Sequence, residues 1–477
     1  MEVNAMRRYA WLLALGLASC AVGPKYEPRT PEDLNVPAAW HADLPENTKI
    51  GNLSRWWKQL GDPLLSEFIE EALKSSPTMD SARARLREAR AQRGVAEAEL
   101  YPTVNATGGG RTSKTGDEEA ISTYQAGFDA SWEPDIFGGT RRYLEASTAE
   151  LESTVASLHD TQVSLAAEVA LEYVSIRSLQ ARIAIARENL ALQVETREIA
   201  GWRYQAGLVS GLDYDQARAA EAQTRAQIPA LETSLAGSRN RIAVLVGEAP
   251  GSIDDRLAAQ APIPDVPESV IIGIPADVLR QRPDIRAAER ALAAQTARVG
   301  AAVASQYPNF SLSGSLGVEG VTLAALTGGS SVISSLAASV AETIFAGGRI
   351  RRQIQVQTAV QDQALAAYES TVLTALEDVE NALVSLRRSR ERYNHLQAAD
   401  EAARSAALLA RQRYAAGLVD YTSVVSTQQT QLTVSDSLQS CEADITKALI
   451  QLYKALGGGW STEDSEAGAT PEEGKIR

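Results

Sequence analysis

The heptapeptide RYQAGLV at residues 203–209 recurs as RYAAGLV at residues 413–419. Each copy ends a long stretch without proline or a cluster of helix-breaking residues. Gly207 and Gly417 fit the left-handed conformation that commonly follows the last residue of a helix. The sequence therefore predicts two long helices, each ending in the same turn.

Apolar residues recur at a seven-residue spacing within both stretches, which is typical of coiled-coil packing. The first helix, predicted from Thr140 to about Arg203, would be about 100 Å long at 1.5 Å per residue. Partner helices are predicted near Asp213–Gly247 and Tyr421–Leu456, so that each half of the chain presents a long antiparallel helical hairpin. The spaced residues are Leu144, Leu151, Leu158 and Leu165 in the first half and Leu365, Val372, Val379 and Leu386 in the second.

Segments with a different period precede each long helix. Apolar and polar residues alternate over residues 124–132 and 310–318, which suits strands with one apolar and one polar face. Partner strands are predicted near residues 102–111 and 331–341. The strands could form a half-buried soluble sandwich or part of a membrane barrel. Because a small closed barrel needs about eight strands, a barrel would have to be shared between subunits.

Two further landmarks recur in the same order, at an offset of roughly 200 residues. Tyr101-Pro102 recurs as Tyr307-Pro308, and IFGG at residues 136–139 recurs as IFAGG at residues 344–348. The sequence thus contains an internal duplication. The predicted organisation is a signal peptide (1–19), an N-terminal arm (20–61), a first repeat (62–249), a linker (250–268), a second repeat (269–456) and a disordered tail (457–477).

The first residues have the pattern of an export signal. Arg7 and Arg8 precede an apolar run that is too short to span a bilayer, and the run ends in LASC at residues 17–20. This pattern matches a bacterial lipobox, in which Cys20 is acylated after cleavage and anchors the chain in lipid. The alternative is an ordinary secretory signal with a chance cysteine. Ala21 is not the Asp that would favour inner-membrane retention, so we expect delivery to the outer membrane.

The composition argues against several classes of protein. The formal net charge of −14 disfavours nucleic-acid binding, because phosphates attract patches of Lys and Arg. The three histidines are isolated, and no HExxH, P-loop, nucleophile-elbow or CxxC motif occurs. We therefore predict no enzyme, metal or cofactor. Cys441 is expected to pack as a small apolar residue.

Several motifs, in this order and behind the lipobox, resemble the outer membrane factor family of Gram-negative bacteria. They are GPKYEP at residues 23–28, WWKQLGDPL at 56–64, RPDI at 282–285 and the duplicated RYxxG turns. The resemblance covers nearly the whole mature chain. Within the family, the sequence looks like the lipoprotein subgroup of TolC-like multidrug efflux channels.

The resemblance implies a mainly α homotrimer, whose helical hairpins form an α-barrel continuous with a shared β-barrel of about twelve strands, four per chain. It implies a passive outer-membrane conduit for small molecules that extends into the periplasm, with the linker at its equator. A periplasmic adaptor and a proton-driven inner-membrane pump would dock at the far end. Two alternatives are the same channel serving type I protein secretion, and a periplasmic coiled-coil adaptor or structural lipoprotein.

The resemblance places both turns at the periplasmic tip. The apolar residues that follow each turn glycine are either hydrophobic clasps on the helix caps or knobs that dock an adaptor, and the resemblance favours docking. These docking positions are Gly207, Leu208, Val209, Gly417, Leu418 and Val419.

The resemblance also implies a gate beside the turns, in which Asp213 and Tyr414 match lock positions. Ser423, Ser426 and Val419 replace charged residues that are common in the family. The alternative is that these are solvated cap residues, with Asp213 assisting the start of its helix. The gate positions are Arg203, Asp213, Asp215, Arg413, Tyr414, Asp420, Ser423 and Ser426.

Overall fold

The computed structural model describes residues 21–44, 48–49, 51–267 and 269–461. Cys20, where we predict acylation, lies outside the described residues, as does most of the predicted tail. Residues 457–461 of that tail are described and packed. The Gly458 amide donates to the Tyr453 carbonyl at 2.9 Å, and the Trp460 indole donates to the Gln281 carbonyl at 3.1 Å.

Helices account for most of the described chain. They are α1 (Pro63–Ser75), α2 (Pro77–Ala98), α3 (Gly139–Gln205), α4 (Gly211–Val246), α5 (Pro275–Gln281), α6 (Pro283–Ala304), α7 (Arg349–Ala415) and α8 (Tyr421–Ala455). The strands are β1 (Thr48–Lys49), β2 (Thr103–Ser113), β3 (Ile121–Trp132), β4 (Val270–Ile271), β5 (Asn309–Gly320) and β6 (Val332–Ala341). In the residues described, no helix has the length and apolar character needed to cross a membrane.

The predicted duplication is confirmed in the order of the elements. Each half runs through two shorter helices, two strands, a long helix and a final helix, so that the structure has one helix more at the start of each half than the sequence predicts. Helices α3 and α7 are both 67 residues long, and each ends at the repeated turn. The seven-residue spacing is confirmed in part. Leu165, Val372, Val379 and Leu386 are buried, and the other four spaced residues, Leu144, Leu151, Leu158 and Leu365, are half-buried in the single chain. The predicted mainly α fold with a small β part is therefore confirmed.

The four long strands form one antiparallel sheet in the order β2-β3-β5-β6. The register places Asn105, Asp129, Ser315 and Ser335 opposite one another across all four strands. The neighbouring row consists of Ala106, Phe128, Leu316 and Ser334. Because successive side chains point to opposite faces, the sheet has one mainly polar and one mainly apolar face, as the alternation in the sequence predicts.

The described residues fall into two compact units, and each unit contains segments of both repeats. Unit 1 contains the sheet and is built from Ala84–Ala156, Arg286–Thr371 and the residues up to Thr30. Unit 2 contains both repeated turns and is built from Pro31–Arg83, Ser157–Ile285 and the residues from Val372 onward.

Buried polar side chains fix the helix ends within unit 2. The Arg282 guanidinium contacts Asp284 at 2.6 Å and Asp378 at 3.1 Å, and it donates to the Ala455 carbonyl at 3.0 Å. It thereby joins the start of α6 to α7 and to the end of α8. Such a buried charge is stable only when it is paired and hydrogen-bonded, which accounts for the RPDI motif. Cys441 is buried, as expected.

Candidate functional site: the paired turns

The two repeated turns have the same backbone geometry. In the first turn the Leu208 amide donates to the Arg203 carbonyl at 2.8 Å, and Gly207 has a φ of 71°. The second turn repeats both features at Leu418, with a bond of 2.9 Å, and at Gly417, with a φ of 76°. This is the Schellman arrangement, in which a left-handed residue lets the chain satisfy the last carbonyls of the helix. The predicted glycine caps are therefore present.

The turn leucines are not clasps on these caps. A hydrophobic clasp would bury the leucine against the preceding helical turn, but Leu208 is 74 % exposed and Leu418 is 73 % exposed in the single chain. Val209 and Val419 are half-buried, and Val419 packs against a cluster of buried side chains. Each turn thus presents one exposed leucine next to one half-buried valine.

The cluster behind the turns joins all four long helices. Ala200 of α3, Ala217 of α4, Tyr414 of α7 and two residues of α8, Tyr421 and Val424, are buried together. The rings of Tyr414 and Tyr421 meet edge to face, with centroids 5.5 Å apart. Such pairs add about 0.5–1.5 kcal/mol beyond the burial of area. The sequence pattern missed Tyr421, although it lies seven residues after Tyr414 and at the start of the partner helix.

The side chain of Arg203 links the two repeats in the described structure. Its guanidinium lies over the Tyr414 ring, 4.6 Å from the centroid, and donates to the Ala415 carbonyl at 3.1 Å. The cation therefore lies at the C-terminal end of α7, where the helix dipole favours positive charge. Arg413, its counterpart in the second repeat, has no side-chain partner among the described residues. The duplicated arginines thus have different surroundings within one chain.

Asp213 belongs to a capping box at the start of α4. Its carboxylate accepts from the Ser210 amide at 3.1 Å and from the Ser210 hydroxyl at 3.0 Å, and its own amide donates to that hydroxyl at 3.4 Å. Asp213 therefore caps the start of α4, as the alternative interpretation predicts. The carboxylate makes no hydrogen bond to Tyr414 in this structure.

The Tyr414 hydroxyl is buried and has no hydrogen-bond partner among the described residues. Burial raises the pKa of Tyr414, the neighbouring Arg203 lowers it, and the charge of Asp213 raises it. Burial also raises the pKa of Tyr421. Both phenols therefore stay neutral near pH 7.

The other predicted gate residues lie on the surface of the single chain. Asp215 pairs with Arg218 one helical turn further along, at 3.2 Å, and both are exposed, so this pair contributes little to stability. Asp420 occupies the N-cap position of α8 without making a side-chain cap. Ser423 and Ser426 are exposed on the first turns of that helix. The structure therefore places Arg203 against Tyr414, with Asp213 near enough to affect the pKa of Tyr414. The other four residues, Asp215, Asp420, Ser423 and Ser426, are exposed.

Comparison with known proteins identifies the class. The model of the outer membrane efflux protein family matches residues 68–248 and 274–458, which together cover most of the chain. The chain belongs to this family. It is an outer-membrane efflux channel protein of the Gram-negative type that extends into the periplasm, and its family is one of transport proteins rather than enzymes.

Individual relatives agree in sequence and in fold. The chain is 32 % identical to the pyoverdine export outer membrane protein OpmQ of Pseudomonas aeruginosa over 447 residues, 90 % of this chain and 92 % of OpmQ. The solved structure of the outer-membrane channel OprN has a TM-score of 0.86 and 36 % identity, and the match covers 92 % of this chain and all of OprN. The open state of the Neisseria gonorrhoeae MtrE channel has a TM-score of 0.81 at 27 % identity, over 92 % of this chain and 99 % of MtrE.

Proposed function

We propose that three copies of this chain form a passive exit duct for small molecules, whose periplasmic tip is closed at rest and opens when an adaptor and a pump dock. Four strands are too few to close a barrel, whereas three such sheets together exceed the minimum of about eight. The polar face of the sheet would then line a shared lumen, and the apolar face would meet lipid.

The observation that carries the docking role is the pair of exposed leucines, 74 % and 73 % exposed, on two turns of identical geometry. Turns on a protein surface usually carry polar residues. An exposed large apolar residue held by a well-formed cap is a suitable anchor for a protein interface. Leu208 and Leu418 would insert into apolar sockets on the adaptor, and Gly207 and Gly417 would keep them at the extreme end of each hairpin.

The gate would work by separating the hairpins at their ends. Arg203 connects the first hairpin to the C-terminus of α7, and Tyr414 packs in the shared cluster. Drawing the two turns apart would break the Arg203 contacts and free Tyr414. Asp213 and Asp215, with Arg413, Asp420, Ser423 and Ser426, would then line the opening with charged and hydroxyl groups.

The lipid anchor and the pump belong to the same proposal. The LASC sequence supports acylation of Cys20. Relatives named for pyoverdine export and toluene efflux support small-molecule cargo driven by an inner-membrane pump, which we expect to be proton-driven. Drug susceptibility of a strain that lacks the gene, across several compound classes, would identify the cargo.

Charged replacements at the two turns test the docking role. In the double variant Leu208→Glu with Leu418→Glu we expect loss of efflux, because a buried unpaired carboxylate would cost several kcal/mol in an apolar socket. Efflux is measured as drug susceptibility in the deletion strain, and assembly as trimers on mildly denaturing gels. The matched control, Leu208→Met with Leu418→Met, keeps the apolar contact and should retain efflux. Full efflux by the glutamate variant would rule out docking through these leucines.

A further inference from the structure

The duplicated IFGG motif has opposite surroundings in its two copies. In the first repeat Phe137 stacks on Tyr307, with ring centroids 4.7 Å apart and planes 22° apart. Its ring also lies 6.4 Å from that of Phe310. Tyr307 and Phe310 belong to the second repeat, so this aromatic contact, which lies within unit 1, joins the two repeats of one chain.

The second copy of the motif lacks these neighbours. Ile344 is 88 % exposed and Phe345 is 89 % exposed. They are the two most exposed large apolar side chains of the described chain. Full exposure of two consecutive large apolar residues is unusual on a finished protein surface and marks a site that another surface covers.

The glycines that follow Phe137 and Phe345 also differ in how closely other residues pack against them. A Cβ atom added to Gly139 would lie 3.2 Å from the Cβ of Ala304, a residue of the second repeat. A Cβ atom added to Gly347 or Gly348 would meet nothing within 4 Å. The first copy of the motif is therefore packed tightly by the other repeat, and the second copy has open space in the equivalent place.

The residues of the first repeat that would complete the equivalent contact are also exposed. Tyr101 opens the Tyr-Pro pair of the first repeat and corresponds to Tyr307, and Val104 corresponds to Phe310. Tyr101 is 65 % exposed and Val104 is 64 % exposed. Within one chain, Phe345 therefore has no tyrosine ring to stack on, and Tyr101 has no phenylalanine ring stacked on it.

We propose that Phe345 of one chain stacks on Tyr101 of a second copy, beside Val104, and repeats between chains the Phe137–Tyr307 contact made within each chain. This inference rests on the proposed assembly of three copies. In a closed ring of duplicated chains, first and second repeats alternate, so each boundary between chains presents the same two motifs as the boundary within a chain. Burying these rings removes two large apolar surfaces from water.

The competing occupant is lipid, because aromatic side chains also collect at membrane interfaces. The mirror contact favours the second copy, since the first phenylalanine is met by a tyrosine ring rather than left facing outward. A covalent test separates the two occupants, because only a second copy can trap a cysteine at position 345 in a larger species.

The experiment compares two cysteine pairs in the full-length membrane-inserted protein, treated with a short bismaleimide. Phe345→Cys with Tyr101→Cys should give covalent dimers and trimers on denaturing gels, and each single variant should give neither. The matched pair, Phe137→Cys with Tyr307→Cys, should link within one chain and run as monomer. Cys441 is left unchanged in all variants, because it is buried.

Monomers alone from the Phe345–Tyr101 pair, in protein that light scattering shows to be trimeric, would overturn the inference and leave the proposed channel intact. Scattering that shows only monomers would instead refute the proposed assembly. If the cysteine pair fails to insert, Phe345→Ala, Tyr101→Ala and the double variant are compared by the temperature at which trimers dissociate. Non-additive lowering supports the contact, and fully additive lowering contradicts it.

Discussion

At the scale of single residues, the two arginines of the repeated turns show how one sequence motif acquires two roles. Arg203 contacts the end of α7, whereas Arg413 projects without a partner from the described chain. The motif predicts both turn glycines and marks both arginines. It cannot distinguish them, because their difference depends on which hairpin lies next to each turn.

Removal of the Arg203 side chain should raise the resting conductance of the channel in planar bilayers. Arg203→Ala deletes both the bond to the Ala415 carbonyl and the cation over the Tyr414 ring, which together contribute about 1–2 kcal/mol. Tyr414→Phe is the matched control, because it keeps the ring beneath Arg203 and removes only a hydroxyl without a hydrogen bond.

The two outcomes separate the two interpretations of the gate. If the lock were a Tyr414–Asp213 hydrogen bond, Tyr414→Phe would also raise conductance, as would Tyr414→Phe combined with Asp213→Ala. Unchanged conductance of Arg203→Ala would count against the Arg203 contact as part of the closed state.

At the scale of elements, boundaries follow from the sequence wherever a local cap fixes them. The ends of α3 and α7 lie within two residues of the predicted positions, because a left-handed glycine ends each helix in the same way. The two strand pairs, β2 with β3 and β5 with β6, were predicted too, but the pairing of β3 with β5 that joins them into one sheet was not. The two short 3-10 turns at Leu323–Thr327 and Gly329–Ser331 were not, since their residues carry no periodic pattern.

Two glycine-to-alanine substitutions, one at a cap and one inside a helix, are expected to change stability in opposite directions. Gly417→Ala should destabilise the second turn by about 1 kcal/mol, because a residue with a Cβ atom is strained at a positive φ. Gly237→Ala, in the interior of α4 with nothing within 4 Å of the added Cβ atom, should stabilise its helix by about 1 kcal/mol. Amide hydrogen exchange of the two segments measures both effects. Faster exchange of α4 in Gly237→Ala, or unchanged exchange of the turn in Gly417→Ala, would contradict this account.

At the scale of the whole molecule, the repeats are visible in the sequence but the compact units are not. Each unit combines segments of both repeats. Contacts such as Arg282 with Asp378 join residues far apart in the chain, and no local pattern encodes such a pairing. The class of protein could be predicted from the family resemblance, whereas the residues that join the two hairpins are seen only in the structure.

The lipid anchor should be dispensable for assembly. Replacing Cys20 by Ser behind a cleavable secretory signal should leave trimers and efflux close to the wild-type level, because a shared barrel would hold the protein in the membrane by itself. Metabolic labelling with palmitate, expected only when Cys20 is present, reports acylation. Exported protein that no longer reaches the outer membrane would show instead that the anchor is required.

The Arg203 contact sets an energy scale for opening. In a trimer, three such contacts of about 1–2 kcal/mol each would total about 3–6 kcal/mol. At that scale the open tip would be a minor population, about one molecule in a hundred to one in ten thousand. A docking protein that prefers the open tip by this difference would make the two states equally populated, and reversing the ratio would need about twice the difference. The closed tip would then limit leakage, and the energy that opens it would have to come from the difference in how tightly the docking proteins bind the open and the closed tip.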